Sequence, residues 1–128
     1  MLSDGEMQEG QVWEAYQAAS FYNLDNLITY VDVNGNQVEG RTSDVMNLEP
    51  LAKRLEAFGC VALEIDGHDI DALIASSKAE HKGKPLVVLC NTSSYQGIPL
   101  LKKRDPLLHF VRPKADELDD YKKFYDNM

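Results

Sequence analysis

Three short apolar runs, at residues 27–33, 60–65 and 85–90, alternate along the chain with segments of helical period. This alternation limits the fold more than any other feature. Each run is continuously apolar rather than alternating in polarity, as in Leu-Ile-Thr-Tyr-Val-Asp-Val from Leu27 to Val33. Strands of that kind are buried on both faces. Where helices separate them, the strands join in parallel and the crossovers cover the sheet. The expectation is an α/β fold, a parallel sheet with helices on both faces.

The elements follow from local chemistry. Between residues 8 and 21, Val12, Ala15, Tyr16 and Ala19 recur at helical spacing, continued by Tyr22. Small residues at Ala15, Ala18, Ala19 and Ser20 would let this helix approach another backbone closely. Asn34-Gly35-Asn36 closes the first strand with turn residues, and the polar stretch 37–47 reads as a loop. Residues 48–58 are amphipathic through Leu48, Leu51, Ala52, Leu55 and Phe58, with Pro50 near the first turn and Gly59 as the stop. Asp69 is placed to cap a helix over 70–81, and Gly83 breaks the chain before the third strand. Residues 91–112 have no clear period, and 115–125 read as a polar, peripheral helix. The order is α-β-α-β-α-β-α. Only Met1 and Leu2 precede the Ser3-Asp4-Gly5-Glu6 turn, so a strand supporting that turn is expected to be missing or very short.

Composition narrows the function. The 128 residues fit one domain, and 44% hydrophobic residues are enough for a core. With 13 Lys+Arg against 21 Asp+Glu, the formal net charge is −8. That balance argues against a general nucleic-acid partner, which would need a basic patch. A local anion site remains compatible with it. Cys60 and Cys90 are too few for a disulfide scaffold and lie in apolar runs, so both read as buried free thiols. No apolar run reaches the roughly 18 residues that span a bilayer. The opening residues lack an apolar leader pattern. The expected setting is cytoplasmic, with no membrane partner. No Cys/His set has zinc-ligand spacing.

Two strand ends carry oxygen ligands: Asp4 in Ser-Asp-Gly-Glu, and Asn34 in Asp-Val-Asn-Gly-Asn. The stretch between them has the length of one turn-helix-strand unit, so both ends are expected on one edge of the sheet. Parallel α/β sheets bind ligands at that edge. A carboxylate, an amide oxygen and a backbone carbonyl suit a hard cation such as Mg²⁺, which is commonly shared with substrate phosphates. Gly5 lets the backbone approach a phosphate, and the following helix points its N-terminus at the anion. On spacing alone the plain turn reading stays open, because Asp-Gly and Asn-Gly are common turn dipeptides.

The wider sequence adds a family. The run from Ser3 to Ala15, Ser-Asp-Gly-Glu-Met-Gln-Glu-Gly-Gln-Val-Trp-Glu-Ala, resembles the thiamine diphosphate motif of transketolases. Asp25-Asn26-Leu27-Ile28 and Val31-Asp32-Val33-Asn34 resemble its second half. Asn47-Leu48-Glu49-Pro50-Leu51, Ala57-Phe58-Gly59, Asp66-Gly67-His68-Asp69-Ile70 and Lys82-Gly83-Lys84-Pro85 continue the likeness in order. It extends to about Thr92 and resumes around His109 to Leu118. Ser3 stands where the family has its first motif glycine, Val33 where many relatives have a polar residue. Residues 91–108 lack the family's glycine- and lysine-rich pattern, so 93–128 read as a divergent C-terminal segment.

The resemblance implies a partial thiamine diphosphate-binding fold, one partial domain over 1–128, like the second half of the family's diphosphate-binding domain. It implies that Asp4 and Asn34 bind Mg²⁺ through their side chains, and Asn36 through its backbone carbonyl. Asp4, Gly5 and Asn34 would form the cofactor contact, the Gly5 amide meeting the diphosphate. Glu9 and Glu14 would take the catalytic role of family glutamates tied to cofactor activation and subunit communication. The implied activity is transfer of a two-carbon ketol unit between sugar phosphates, as in the pentose phosphate pathway. The family's remaining domains would come from a partner chain, without which the chain is expected to be inactive. A homodimer is a further expectation. Two other readings stand beside this one: a non-catalytic remnant or oligomeric interaction module, and a part of another thiamine diphosphate enzyme.

Overall fold

The run Leu-Val-Val-Leu-Cys-Asn is the most deeply buried strand of the chain, and it takes an inner position in the sheet. The computed structural model describes residues 1–128. In chain order the elements are β1 (Leu2–Ser3), a 3-10 turn (Glu6–Gln8), α1 (Gly10–Phe21), β2 (Ile28–Val33), β3 (Asn36–Gln37) and β4 (Gly40–Arg41). There follow α2 (Thr42–Met46), α3 (Leu51–Ala57), β5 (Val61–Asp66), α4 (Ile70–Ser76) and β6 (Leu86–Asn91). Two 3-10 turns (Pro99–Arg104 and Ala115–Glu117) and α5 (Leu118–Asp126) complete the chain. The main sheet has the order β1-β2-β6-β5, and every pairing in it is parallel.

Alternate side chains of β6 serve two cores, as the period of a strand requires. Val87 and Leu89 pack with Met7, Tyr16, Leu51 and Leu55, beneath α1 and α3. Leu86, Val88 and Cys90 pack on the opposite side with Leu73 of α4 and Tyr30 of β2. Helices therefore cover both faces. On the α1–α3 side the Trp13 and Phe58 rings meet at 5.1 Å between centroids, and Trp13 Nε1 donates to the Met7 carbonyl at 2.7 Å. On the other side the Tyr30 hydroxyl lies 3.3 Å from Ser76 Oγ. Both cysteines are free and buried, and burial pushes the Cys60 thiol up to about 11. No helix is long and apolar enough to cross a membrane.

The strand before the Asp4 turn is present but only two residues long, and it pairs Leu2 with Val31 and Ser3 with Asp32. Residues 37–47 are more ordered than a loop: with Asn36 they form the β3–β4 hairpin, and α2 follows it. Asp69 caps α4 as expected, its Oδ1 accepting from Asp71 N at 2.9 Å and Ala72 N at 3.1 Å. The helix stops at Ser76, short of residue 81. Ser76 and Ser77 hydroxyls donate back to the Leu73 and Ile74 carbonyls, each at 2.8 Å, and compete with continuation of the helical ladder. The C-terminal segment is tied down by charge. Glu117 pairs with Lys103 at 3.0 Å and with Arg104, and Asp105 pairs with Arg41 at 2.7 Å.

The turn after β5 lies hard against the exit of β6. Gly67 N donates to the Asn91 carbonyl at 2.8 Å. A Cβ added at Gly67 would stand 2.5 Å from Thr92 Cγ2, 2.9 Å from Cys90 Cβ and 3.2 Å from the Asn91 carbonyl oxygen. Only glycine fits there. Gly67→Ala is expected to destabilise the chain by about 1–3 kcal/mol, the usual cost of overpacking. Its urea midpoint should fall; an unchanged midpoint would mean that the two turns separate freely.

Candidate functional site

Because all four strands of the main sheet run parallel, their carboxyl ends lie along one edge. Asp4 follows β1 there, and Asn34 follows β2. The backbone holds the two exits together, with Asp4 N donating to the Asp32 carbonyl at 3.0 Å. The side chains converge as well. Asp4 Oδ2 accepts from Gly35 N at 2.8 Å and from Thr42 Oγ1 at 3.1 Å, and Asp4 Oδ1 accepts from Gly5 N at 2.9 Å. The Asp4 carboxylate thus faces the Asn34–Asn36 loop directly.

That loop is built from paired amides. Asn34 Oδ1 accepts from Asn36 N at 2.8 Å, and the Asn34 carbonyl accepts from Asn36 Nδ2 at 2.7 Å. Asn36 is buried, and its Oδ1 has no hydrogen-bond partner. A buried acceptor without a donor is costly, so this oxygen calls for a donor or a cation. The position a Cβ would take on Gly5 lies 3.3 Å from Gln37 Cβ, a tight approach that a side chain there would have to push back. A cavity of about 220 Å³ opens beside the loop, lined among others by Asp4, Gln8, Gly35, Arg41 and Thr42.

Electrostatics points the same way. Asp4 is 7% exposed. Burial pushes its carboxyl above the ordinary value, three hydrogen bonds from Gly35, Thr42 and Gly5 pull it back, and the Asp32 charge adds to the rise. A cation beside Asp4 would oppose both the desolvation and the like charge. The donor set fits a hard, oxygen-loving ion: a carboxylate, the Asn34 amide oxygen and oxygens of Asn36. The structure brings Asp4, Gly5, Asn34 and Asn36 together at the ends of β1 and β2. In this structure the Gly5 amide is engaged by the Asp4 carboxylate.

Glu9 and Glu14 lie elsewhere. Both are exposed, Glu9 at the N-cap of α1 and Glu14 on the helix. Glu9 lines a separate opening of about 400 Å³ with Leu2, Glu6, Val12 and Tyr16. The sequence reading passed over three residues that hold the site. Thr42 donates to Asp4, and Gln8 Nε2 donates to the Thr42 and Met46 carbonyls, each at 3.0 Å, fixing α2 beside the cavity. Asp32 accepts from the Asn34 amide at 2.8 Å. Asp32 had a signal, since it precedes Asn34 by two residues at a strand end and so shares its side. Thr42 and Gln8 had none.

Comparison with known proteins identifies the family. The family model for the transketolase thiamine diphosphate binding domain matches residues 1–126. A transketolase family protein of Sinorhizobium fredii, y4mO, is 42% identical over 120 residues, which cover 91% of this chain and 43% of the relative. One subunit of the apulose-4-phosphate transketolase of Actinobacillus succinogenes is 40% identical over 120 residues, covering 93% of this chain and 43% of the relative. The crystal structure of transketolase from Campylobacter jejuni superposes with a TM-score of 0.64 at 34% identity, over 71% of this chain and 15% of that one. The chain spans less than half the length of these proteins. The family model over residues 1–126, the parallel sheet and likeness along nearly its whole length place the chain in the transketolase family, within the thiamine diphosphate-binding domain.

Proposed function

We propose that the chain supplies the Mg²⁺–diphosphate part of a thiamine diphosphate site in a transketolase-type enzyme, completed by a partner chain. The observation that carries this reading is the joining of Asp4 to the Asn34–Asn36 loop across the ends of β1 and β2. Asp4 and Asn34 would hold the ion by their side chains and Asn36 by its backbone carbonyl. Asp4, Gly5 and Asn34 would form the contact with the diphosphate, the Gly5 amide turning to it. When bound, thiamine diphosphate supplies the carbanion chemistry through its thiazolium ring. The chain's own residues bind and orient; Glu9 and Glu14, exposed on α1, are the residues proposed to act in cofactor activation across a subunit contact. The reaction class is transfer of a two-carbon ketol unit between sugar phosphates. Several similar proteins are named as single subunits of transketolases, which supports a two-chain arrangement.

Two assays test this. Calorimetric titration of thiamine diphosphate into the chain should register binding with Mg²⁺ and none with EDTA. A coupled assay on xylulose 5-phosphate and ribose 5-phosphate should register no turnover by the chain alone. Binding indifferent to Mg²⁺ would overturn the metal assignment, and turnover by the pure chain would overturn the need for a partner. A folded chain that binds nothing would instead support the non-catalytic reading.

A further inference from the structure

An asparagine side chain serves a cation through Oδ1 and repels it through its NH₂ group. Which end faces the ion is decided by whatever grips the other end. In this chain Asp32 grips it. Its Oδ2 accepts from Asn34 Nδ2 at 2.8 Å. A carboxylate only accepts, so it takes the NH₂ group and leaves Oδ1 turned to the Asn36 amide. The second oxygen of Asp32, Oδ1, accepts from Thr92 Oγ1. Thr92 is itself anchored, because its backbone N donates to the Val33 carbonyl at 3.1 Å. Strand register makes this convergence possible: Asp32 pairs with Cys90, and Val33 with Asn91, so Thr92 emerges beside the Asp32 side chain.

We infer that Asp32, braced by Thr92, is a positioning residue of the site: it selects the Asn34 amide orientation that presents Oδ1 to the loop binding Asp4. The same loop provides both contacts, Gly35 N to Asp4 and Asn36 N to Asn34. The function of this orientation rests on the proposed reading of Asn34 as a cation ligand. The orientation itself does not.

The test separates the two. In ¹H–¹⁵N spectra of the chain without cofactor, the Asn34 side-chain amide is assigned by its loss in Asn34→Ala. In the wild-type chain its two protons should be widely split and slow to exchange. In Asp32→Ala they should collapse toward the values of a free amide, in Thr92→Val they should shift partway, and Asp32→Asn should restore part of the splitting by offering its own carbonyl oxygen. The second readout is calorimetric. Mg²⁺-dependent thiamine diphosphate affinity should fall roughly 10- to 100-fold in Asp32→Ala, the range for residues that orient a metal ligand, and less in Asp32→Asn. Circular dichroism confirms that each variant is folded. An unchanged Asn34 amide in folded Asp32→Ala overturns the inference, and so does an unchanged affinity. If the wild-type chain binds no cofactor, the proposed function falls, and the amide spectra still decide the orientation.

Discussion

Asp4→Asn is expected to abolish Mg²⁺-dependent thiamine diphosphate binding while the chain stays folded. The carboxylate is the one anionic group proposed in the ion's first coordination sphere. Residues that merely orient a ligand cost 10- to 100-fold when lost, so removing a charged ligand should cost roughly 100-fold or more. Stability should respond less, because two effects oppose each other. Asp4 accepts from Gly5, Gly35 and Thr42, and an amide presents one of them with a donor instead of an acceptor. Against that, the substitution removes a charge that burial and Asp32 both disfavour. Titration with and without EDTA, beside circular dichroism, reads both quantities. Full Mg²⁺-dependent affinity in the folded variant would remove Asp4 from the metal site.

The largest effect on folding should come from Leu55→Ala. Leu55 is fully buried and packs with Met7, Tyr16, Val31, Leu51 and Cys60, where α3 meets the sheet. Truncating such a leucine costs about 2–5 kcal/mol, from lost burial plus the cavity left behind. Small domains have only about 5–15 kcal/mol in total, so the variant should sit near the edge of stability. Urea unfolding at equilibrium gives the value. A loss below about 1 kcal/mol would mean that the neighbours close over the gap. Leu51, one turn earlier on α3, lines the Asp4 cavity, so this core also sets one wall of the site.

The strands and their parallel order were legible because continuous apolar runs between helical segments have few other solutions. The meeting of Asp4 with the Asn34–Asn36 loop was legible because each follows a strand, and parallel topology brings strand ends to one edge. The hairpin at residues 36–41 and α2 were not, because their order comes from distant groups. Gln8 holds two α2 carbonyls, and Asp105 holds Arg41. The early end of α4 was missed for a local reason: apolar spacing runs on past Ser76, while two serine hydroxyls take the carbonyls that a longer helix would use. Asp32 and Thr92 meet only through the register of β2 against β6, which no local pattern encodes.

The central place of β6 has a consequence for how the chain is made. Of the strands in the main sheet it leaves the ribosome last, yet both β2 and β5 pair with it. Until Asn91 emerges, β2 and β5 both lack the strand that joins them. Their unpaired backbone edges are then open to other chains. The sheet must close as one late event across long sequence separations, which is slow. A nascent chain paused after β5 thus holds two strands whose shared partner is still missing.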